Sequence, residues 1–328
     1  MTVPTGTRVT YNEPIATGGN REDLSDMLWD VSPTDTPFIT AAGKNNATAT
    51  NHEWLTDVLE AQAANAAIEG DNPTGANPAS RVRLGNYTQI LTKTALVSGT
   101  QEKVLKGGGI KSEMAYQVAR RMKAIKRDAE GAFVGAASQG GAAKAVGSAS
   151  VARRMGSFVT YQGTTAGQVC WAGGTTPTAP TYNGATMPVQ GTARALDVTI
   201  LNNALQVLYT NSGGNENILG ICGPGVRSTF SKLVGAATRY VSTDDKNLVN
   251  SIDVYNGDFH TVTISPDRFS DAGNLYLIDP EYVKVSELRP LFTKDLGITG
   301  DATQKELIWE TTLEVCNPIA HFTIAALT

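Results

Sequence analysis

Four groupings of residues in this chain resemble chemical machinery, and each lacks a necessary member. Gly107-Gly108-Gly109-Ile110-Lys111-Ser112 has the glycines and the Lys-Ser pair of a loop that cradles phosphate on backbone N–H groups. That loop needs a glycine directly before the lysine, and Ile110 stands there. Cys222, in Gly220-Ile221-Cys222-Gly223-Pro224, sits at a strand-to-helix turn of the kind that lifts a nucleophile into solvent. Such an elbow needs glycine two residues beyond the nucleophile. Pro224 occupies that place, and a buried structural thiol fits better. His52, His260 and His321 are scattered, with no carboxylate or cysteine at metal-ligand spacing, no H-E-x-x-H and no C-x-x-C. Asp244-Asp245 lies in the polar run VSTDDKN and reads as a solvated turn, because paired-carboxylate chemistry draws its acids from separate elements. Catalytic, metal and cofactor sites are therefore not expected, and no motif for reading nucleic-acid bases appears.

The charge that does form a pattern is basic. Arg120, Lys123, Lys126 and Arg127 share one face of Lys111 to Ala137, KSEMAYQVARRMKAIKRDAEGAFVGAA. On the other face Met114, Val118, Met122, Ile125, Ala129 and Phe133 recur in steps of three and four. This spacing predicts one long helix over 111–137, N-capped by Ser112 and stopped by Gly131, Gly135 and Gly140-Gly141. At about 1.5 Å per residue it spans roughly 35–40 Å. Its basic face is either solvated or turned to another chain or to nucleic acid.

Composition narrows the partners. The 328 residues suffice for about two domains with a sizeable core. A formal charge of −4 gives no global attraction to nucleic acid or anionic membrane, so a basic function must be local. No apolar run approaches the roughly 18 residues of a membrane span, and MTVPTGTRVTYNEP has no apolar signal region, so cytoplasmic synthesis is expected. Cys170, Cys222 and Cys316 are odd in number and far apart, which argues for reduced thiols. A chain with only 18% charged residues suits a surface covered by copies of itself.

In chain order, residues 1–44 are rich in proline and glycine, with one amphipathic piece at Arg21 to Val31; they read as an arm anchored by Trp29 and Phe38. Long strands are predicted at Thr48–Leu59 and Val82–Val97 around a tip with little to bury. No third strand lies nearby in sequence, and an isolated two-stranded ribbon is marginal in water. It is either a hairpin folded back on its own domain or a ribbon lying on another subunit. After the long helix, Ala152–Tyr161 reads as a turn into a strand, and 162–190 as a Gly/Thr-rich surface excursion pinned by Trp171 and Tyr182. Thr192–Tyr209 reads as a core helix, Ile218–Cys222 as a buried strand and Val226–Val234 as a short helix. Strands follow at Thr261–Ile264, Leu275–Ile278 and Tyr282–Leu288, and Glu306–Leu327 reads as a strand pair around Asn317-Pro318.

This order of arm, ribbon, long helix, α/β unit and closing strands resembles the Hong Kong 97-type major capsid protein of tailed double-stranded DNA bacteriophages. The most specific parts are LNNALQVLYTNSGGNENILGICGPGVRSTFSKLV, ending at Val234, and LRPLFTKDLGITGDATQKELIWETTLEVCNPIAHFTIAAL, from Leu288, with its E-x-T-L-E-x-x-N-P-x-A core. The resemblance implies an α+β Hong Kong 97-type fold with an N-terminal arm at 1–44 and an extended E-loop at 45–98. It further implies a peripheral domain at 99–160 carrying the spine helix 111–137, the excursion at 161–190, an axial domain at 191–290, and C-terminal strands at 291–328 returning to the peripheral domain. It implies a non-enzymatic subunit that assembles with itself, as hexamers and pentamers, into an icosahedral virion shell in the host cytoplasm. Expected partners are a portal protein, a separate scaffold or none, a possible decoration protein, and packaged double-stranded DNA contacted non-specifically, with no membrane. Trp29, Phe38, Glu60, Glu69, Asp71, Arg81, Arg83, Arg120, Lys123 and Arg127 are the candidate inter-subunit contacts. The ribbon's one lysine, Lys93, lies near its base, so the family's Lys–Asn crosslink is not expected. The alternatives are an encapsulin-like nanocompartment shell, which shares the fold, and a cytoplasmic hydrolase using Cys222.

Overall fold

The computed structural model describes residues 32–59, 62–70, 72, 75, 80–107, 109–163, 169–211, 216–233, 253–297 and 300–328. The amphipathic piece at Arg21–Val31, Trp29 and Asp244-Asp245 lie outside them. The elements run α1 (Pro37–Ala41), β1 (Gly43–Asn46), β2 (Asn51–Thr56), β3 (Val82–Tyr87), β4 (Gln89–Ser98), α2 (Gly99–Lys103) and α3 (Glu113–Val134). They continue as β5 (Trp171–Ala172), α4 (Val198–Asn211), β6 (Asn217–Cys222), α5 (Pro224–Leu233), β7 (Val254–Asn256), β8 (Thr261–Pro266) and β9 (Leu275–Ile278). The chain closes with β10 (Val283–Asp295), β11 (Ala302–Val315) and β12 (Phe322–Ile324).

The predicted long helix is α3. Ser112 caps it, its hydroxyl accepting from the Ala115 N–H at 3.3 Å. Glu102 of α2 accepts from the Glu113 and Met114 N–H groups at 2.9 and 3.2 Å, so most of the first-turn donors are satisfied. At the other end the Val134 carbonyl accepts from the Tyr276 hydroxyl at 2.9 Å and from the Asp271 N–H at 3.1 Å. The helix is therefore tied at one end to α2 and at the other to Tyr276 of β9 and the Asp271 backbone.

The α3 stripe packs on a four-stranded sheet ordered β1-β10-β11-β4. Ile125, Ala129 and Phe133 are fully buried there with Leu307, Leu313 and Val315. Sequence periodicity missed the split of the expected second ribbon strand at Thr88. Val82–Tyr87 pairs with β2, whereas Gln89–Ser98 leaves the ribbon and pairs antiparallel with β11. The partner of β4 comes from the C-terminal part of the chain, more than 200 residues away, as the pairing of Ser98 with Ala302 shows, and the β2–β3 ribbon remains two-stranded.

A six-stranded mixed sheet is ordered β5-β12-β9-β6-β8-β7. All four residues of β9, Leu275-Tyr276-Leu277-Ile278, are buried, as a strand covered on both faces must be. Alternation sorts them: Leu275 and Leu277 join Ile218, Cys222 and Ile324 beneath α4 and α5, while Tyr276 and Ile278 join Ile221, Phe38 and Phe158 in the α3 core. The second sheet thus forms one wall of both cores.

Three expectations are corrected. The strand pair expected around Asn317-Pro318 does not form, because β11 lies in the four-stranded sheet and β12 crosses to pair with β9 and β5. Phe158–Tyr161 is a 3₁₀ turn instead of a strand, with all four side chains buried and no outward-facing alternate. Helix α4 begins at Val198, six residues later than expected, because Thr192 is bridged to Thr175 and the Arg194 N–H donates to the Ala326 carbonyl at 2.7 Å. Trp171 does anchor the Gly/Thr-rich excursion, as the edge strand β5.

Phe133 packs on the Phe38 ring with centroids 5.7 Å apart. Phe133→Ala is expected to cost about 3–5 kcal/mol, read as a lower denaturation midpoint of the dissociated subunit with an unchanged denaturant slope.

Candidate assembly surfaces

The ribbon is firmly held at its base, and the described residues of its tip are exposed. Asn86, fully buried, donates to the Gly156 and Leu313 carbonyls at 3.1 and 2.9 Å and accepts from the Gly156 N–H at 2.7 Å. Tyr161 Oη and Lys144 Nζ both donate to the Gly85 carbonyl, at 3.0 and 2.8 Å. Beyond Thr56 the described residues up to Arg81 are exposed, including Leu59, Ile68 and Glu69. Arg81 pairs with Asp57 at 3.3 Å and Arg83 with Glu53 at 3.5 Å, so these two candidates brace the ribbon from within. Each exposed pair is worth about 0–1 kcal/mol. Glu60 and Asp71 lie outside the described residues. Lys93, expected near the ribbon's base, stands on β4 in the four-stranded sheet and is paired at 2.5 Å with Asp128 of α3.

Three buried glutamates fasten the surrounding segments. Glu130 of α3 accepts from the Phe38 and Ile39 N–H groups at 2.6 and 3.0 Å, clamping the start of α1. Burial pushes its carboxyl up to about 8, with the nearby Asp267 charge adding to the rise against the two N–H bonds. Glu310 of β11 accepts from the Thr88 hydroxyl at 2.9 Å, from Arg289 Nε at 2.6 Å and from Arg153. Glu314 lies within 2.8–3.0 Å of Asn45 Nδ2, His52 Nε2 and Ser286 Oγ, joining β1, β2 and β10. Burial opposes its ionisation, but those bonds and one from Cys316 outweigh it and bring the carboxyl down to about 2. Sequence reading singled out none of the three as a fastening group. The available signal was a carboxylate at an otherwise apolar position: Glu130 between Ala129 and Gly131, and Glu310 and Glu314 flanking Thr311-Thr312-Leu313.

The basic face of α3 meets the N-terminal segment. Pro33, Thr34, Gln117, Arg120, Lys123 and Arg127 border a cleft of about 300 Å³. Arg120 also lies 5.8 Å from the Tyr116 ring, and the half-buried Arg127 is held 5.8 Å over Phe269. Arg120 and Lys123 are exposed. Phe38 is corrected: at 1% exposure, between the Phe133 and Phe158 rings, it anchors the segment to its own chain and offers nothing to another.

The groups with chemical potential are buried apart. Burial raises the Cys222 thiol to about 12, so a thiolate there is strongly disfavoured. His321 is buried, its Nδ1 accepting from the Asp279 N–H at 3.1 Å, and burial lowers it to about 4. Among the described residues no cluster of three His, Cys, Asp or Glu could hold a metal, and no helix is long and apolar enough to cross a membrane.

Comparison with known proteins agrees with this geometry. The family model described as SU10 major capsid protein matches residues 3–328. A major capsid protein of Escherichia phage Phieco32 is 32% identical over 123 residues, 37% of this chain and 34% of that relative's length. The Cyanophage A-1(L) capsid subunit superposes with a TM-score of 0.64 at 14% identity, covering 98% of this chain and 100% of the other. An encapsulin complex from Synechococcus elongatus superposes with a TM-score of 0.55 at 8% identity, covering 98% and 96%. The two structural likenesses speak to the fold.

Two of the three fastening acids have opposite pH signatures. Glu130 holds its proton more tightly folded than unfolded, so its stabilisation is complete below its ordinary value of 4.5 and is lost as pH rises toward 8. Glu314 is the reverse, with stabilisation present above 4.5 and lost as pH falls toward 2. Denaturant titrations of the dissociated subunit across pH should lose the alkaline limb in Glu130→Gln and the acid limb in Glu314→Gln. Asn86→Ala, which strands buried Gly156 and Leu313 groups, should cost about 1–3 kcal/mol, measured in the same titration.

Proposed function

Because the chain belongs to the SU10 major capsid protein family, with a Hong Kong 97-type fold shared by phage capsids, we propose that it self-assembles as hexamers and pentamers into the icosahedral head of a tailed phage. The observation that carries the reading, beside the family match, is the ribbon tip. A chain that fastens the ribbon's base with buried hydrogen bonds and leaves Leu59 and Ile68 in water has built an arm for a neighbouring surface. We assign the E-loop to β2, β3 and the stretch between them, narrower than the 45–98 expected because β4 joins the four-stranded sheet, and the peripheral domain to that sheet with α3. The axial domain is the six-stranded sheet with α4 and α5. Because β10 joins the four-stranded sheet from Val283 onward, we place the axial boundary near 282 and assign β12 to the axial side. Trp171–Ala172 of the excursion, as β5, forms an edge of that six-stranded sheet.

The subunit serves as structure, not as an enzyme, and double-stranded DNA, portal, scaffold and decoration proteins are its expected partners in the virion. An encapsulin-like role shares the fold; the family match favours the phage head, and particle contents separate the two. Particles from infected cells should hold double-stranded DNA, where an encapsulin would hold a cargo enzyme.

The chain expressed alone is expected to give closed shells, tubes or ring-shaped capsomers in negative-stain electron microscopy, with fast-sedimenting species alongside. Only monomer or dimer at every salt and protein concentration would contradict self-assembly without a scaffold. Arg120→Glu with Lys123→Glu should prevent empty-shell assembly if the basic face meets a neighbour, and leave it intact if that face serves DNA alone. With Lys93 engaged by Asp128, denaturing gels of mature particles should show a single band.

A further inference from the structure

We propose that the cleft between α3 and the segment before α1 binds a small oligophosphate anion, a short chain of linked phosphates. The helix itself makes the hollow. Arg120, Arg121 and Arg127 stand four and three residues before Ala124 and three after it, the positions that share one helix face. A methyl group among three long side chains leaves a trough, and Ser32, Pro33 and Thr34 line its other side. The space of about 300 Å³ is at the lower end of small-ligand pockets. Two of the three guanidinium groups are already steadied, Arg120 lying 5.8 Å from the Tyr116 ring centroid and Arg127 5.8 Å from that of Phe269. Less side-chain freedom is then lost when a ligand arrives.

The lining decides the class of ligand. Among the described residues no carboxylate lies within ion-pair distance of Arg120, Arg121 or Arg127. The acids of α3 are engaged elsewhere: Glu113 accepts from Gln117 Nε2 at 2.7 Å, Asp128 pairs with Lys93, and Glu130 holds the start of α1. Asp35, next to Thr34, lines a different hollow with Pro37 and Leu219. Like charges gathered in a concave place focus the field there and favour an anion. Guanidinium forks fit carboxylate and phosphate alike. One carboxylate brings a single charge against three arginines, whereas linked phosphates bring several within the same small space. The lining does not suit a nucleoside, since it holds no aromatic ring to stack a base and its apolar members are Pro33 and Ala124. An anion held there bridges the N-terminal segment and the spine helix, a tie additional to the Glu130 clamp.

The site belongs to a single subunit, so its test does not depend on whether shells form. Calorimetric titration of the full-length, dissociated chain with tripolyphosphate should show one saturable site per chain. The thermal midpoint should rise with the ligand and not with sodium chloride of equal ionic strength. Arg120→Gln and Arg121→Gln should each weaken binding by about tenfold without moving the midpoint of the unliganded chain, because both side chains are exposed. Arg121→Lys should recover only part of the loss, since an ammonium has no paired fork. Lys126→Gln removes an exposed cation of the same helix outside the cleft and should leave the affinity unchanged. Equal losses in Lys126→Gln and Arg121→Gln would mean diffuse attraction to a basic helix and overturn the site. Absence of saturable tripolyphosphate binding overturns it as well, and a short DNA duplex that binds where tripolyphosphate does not would assign the face to nucleic acid instead.

Discussion

Burying a glutamate is costly unless donors converge on its carboxylate or it keeps its proton, and this fold is arranged around three buried ones, of which Glu314 is held ionised and Glu130 protonated. Glu130, Glu310 and Glu314 stand on the spine helix and the central strand β11, the two best-packed elements of the first core. Their donors come from everything more peripheral: the backbone of α1, Asn45 of β1, His52 of β2, Thr88 at the turn out of the ribbon, and Arg153 and Arg289. Each acid holds a segment that has little core of its own. Such bonds are directional, so they fix where the ribbon and the N-terminal segment leave the body as well as holding them to it.

The second dependence is on a sheet used twice. With β6 and β9 covered on both faces, the two cores share a wall and the two parts of the chain cannot shift freely against each other. Tyr276 shows how tightly they are joined. Its ring packs edge-on to Phe158, 5.9 Å between centroids, and its hydroxyl caps the end of α3. A subunit that must present several surfaces to neighbours at fixed angles gains from that rigidity.

The bulge in β10 belongs to the same economy. Register shifts between Glu287, Arg289 and Phe292 surround Pro290, which can give no ladder hydrogen bond. Beside that irregularity Arg289 Nε donates to Glu310 at 2.6 Å, and Leu291 lines a hollow with Ile39, Lys126 and Trp309.

The sequence alone determined whatever depends on local periodicity and local caps. The stripe from Met114 to Phe133 needed only a 3.6-residue repeat, Ser112 only its hydroxyl, β6 and β9 only their short apolar runs, and α5 only a proline at its start. The improbability of Cys222 as a nucleophile was legible in the same way, from Pro224. Tertiary structure decided everything that rests on pairing across long separations. Whether Gln89–Ser98 stayed in the ribbon or joined β11, and whether Phe322–Ile324 folded back on β11 or crossed to β9, turned on partners up to some two hundred residues away that no window on the chain contains. The fate of Phe38 and of Glu130 was likewise closed to sequence. An aromatic in an extended arm and a glutamate in a helix look the same whether they face solvent or each other's backbone, and only the packing of α1 onto α3 made one a core residue and the other its clamp.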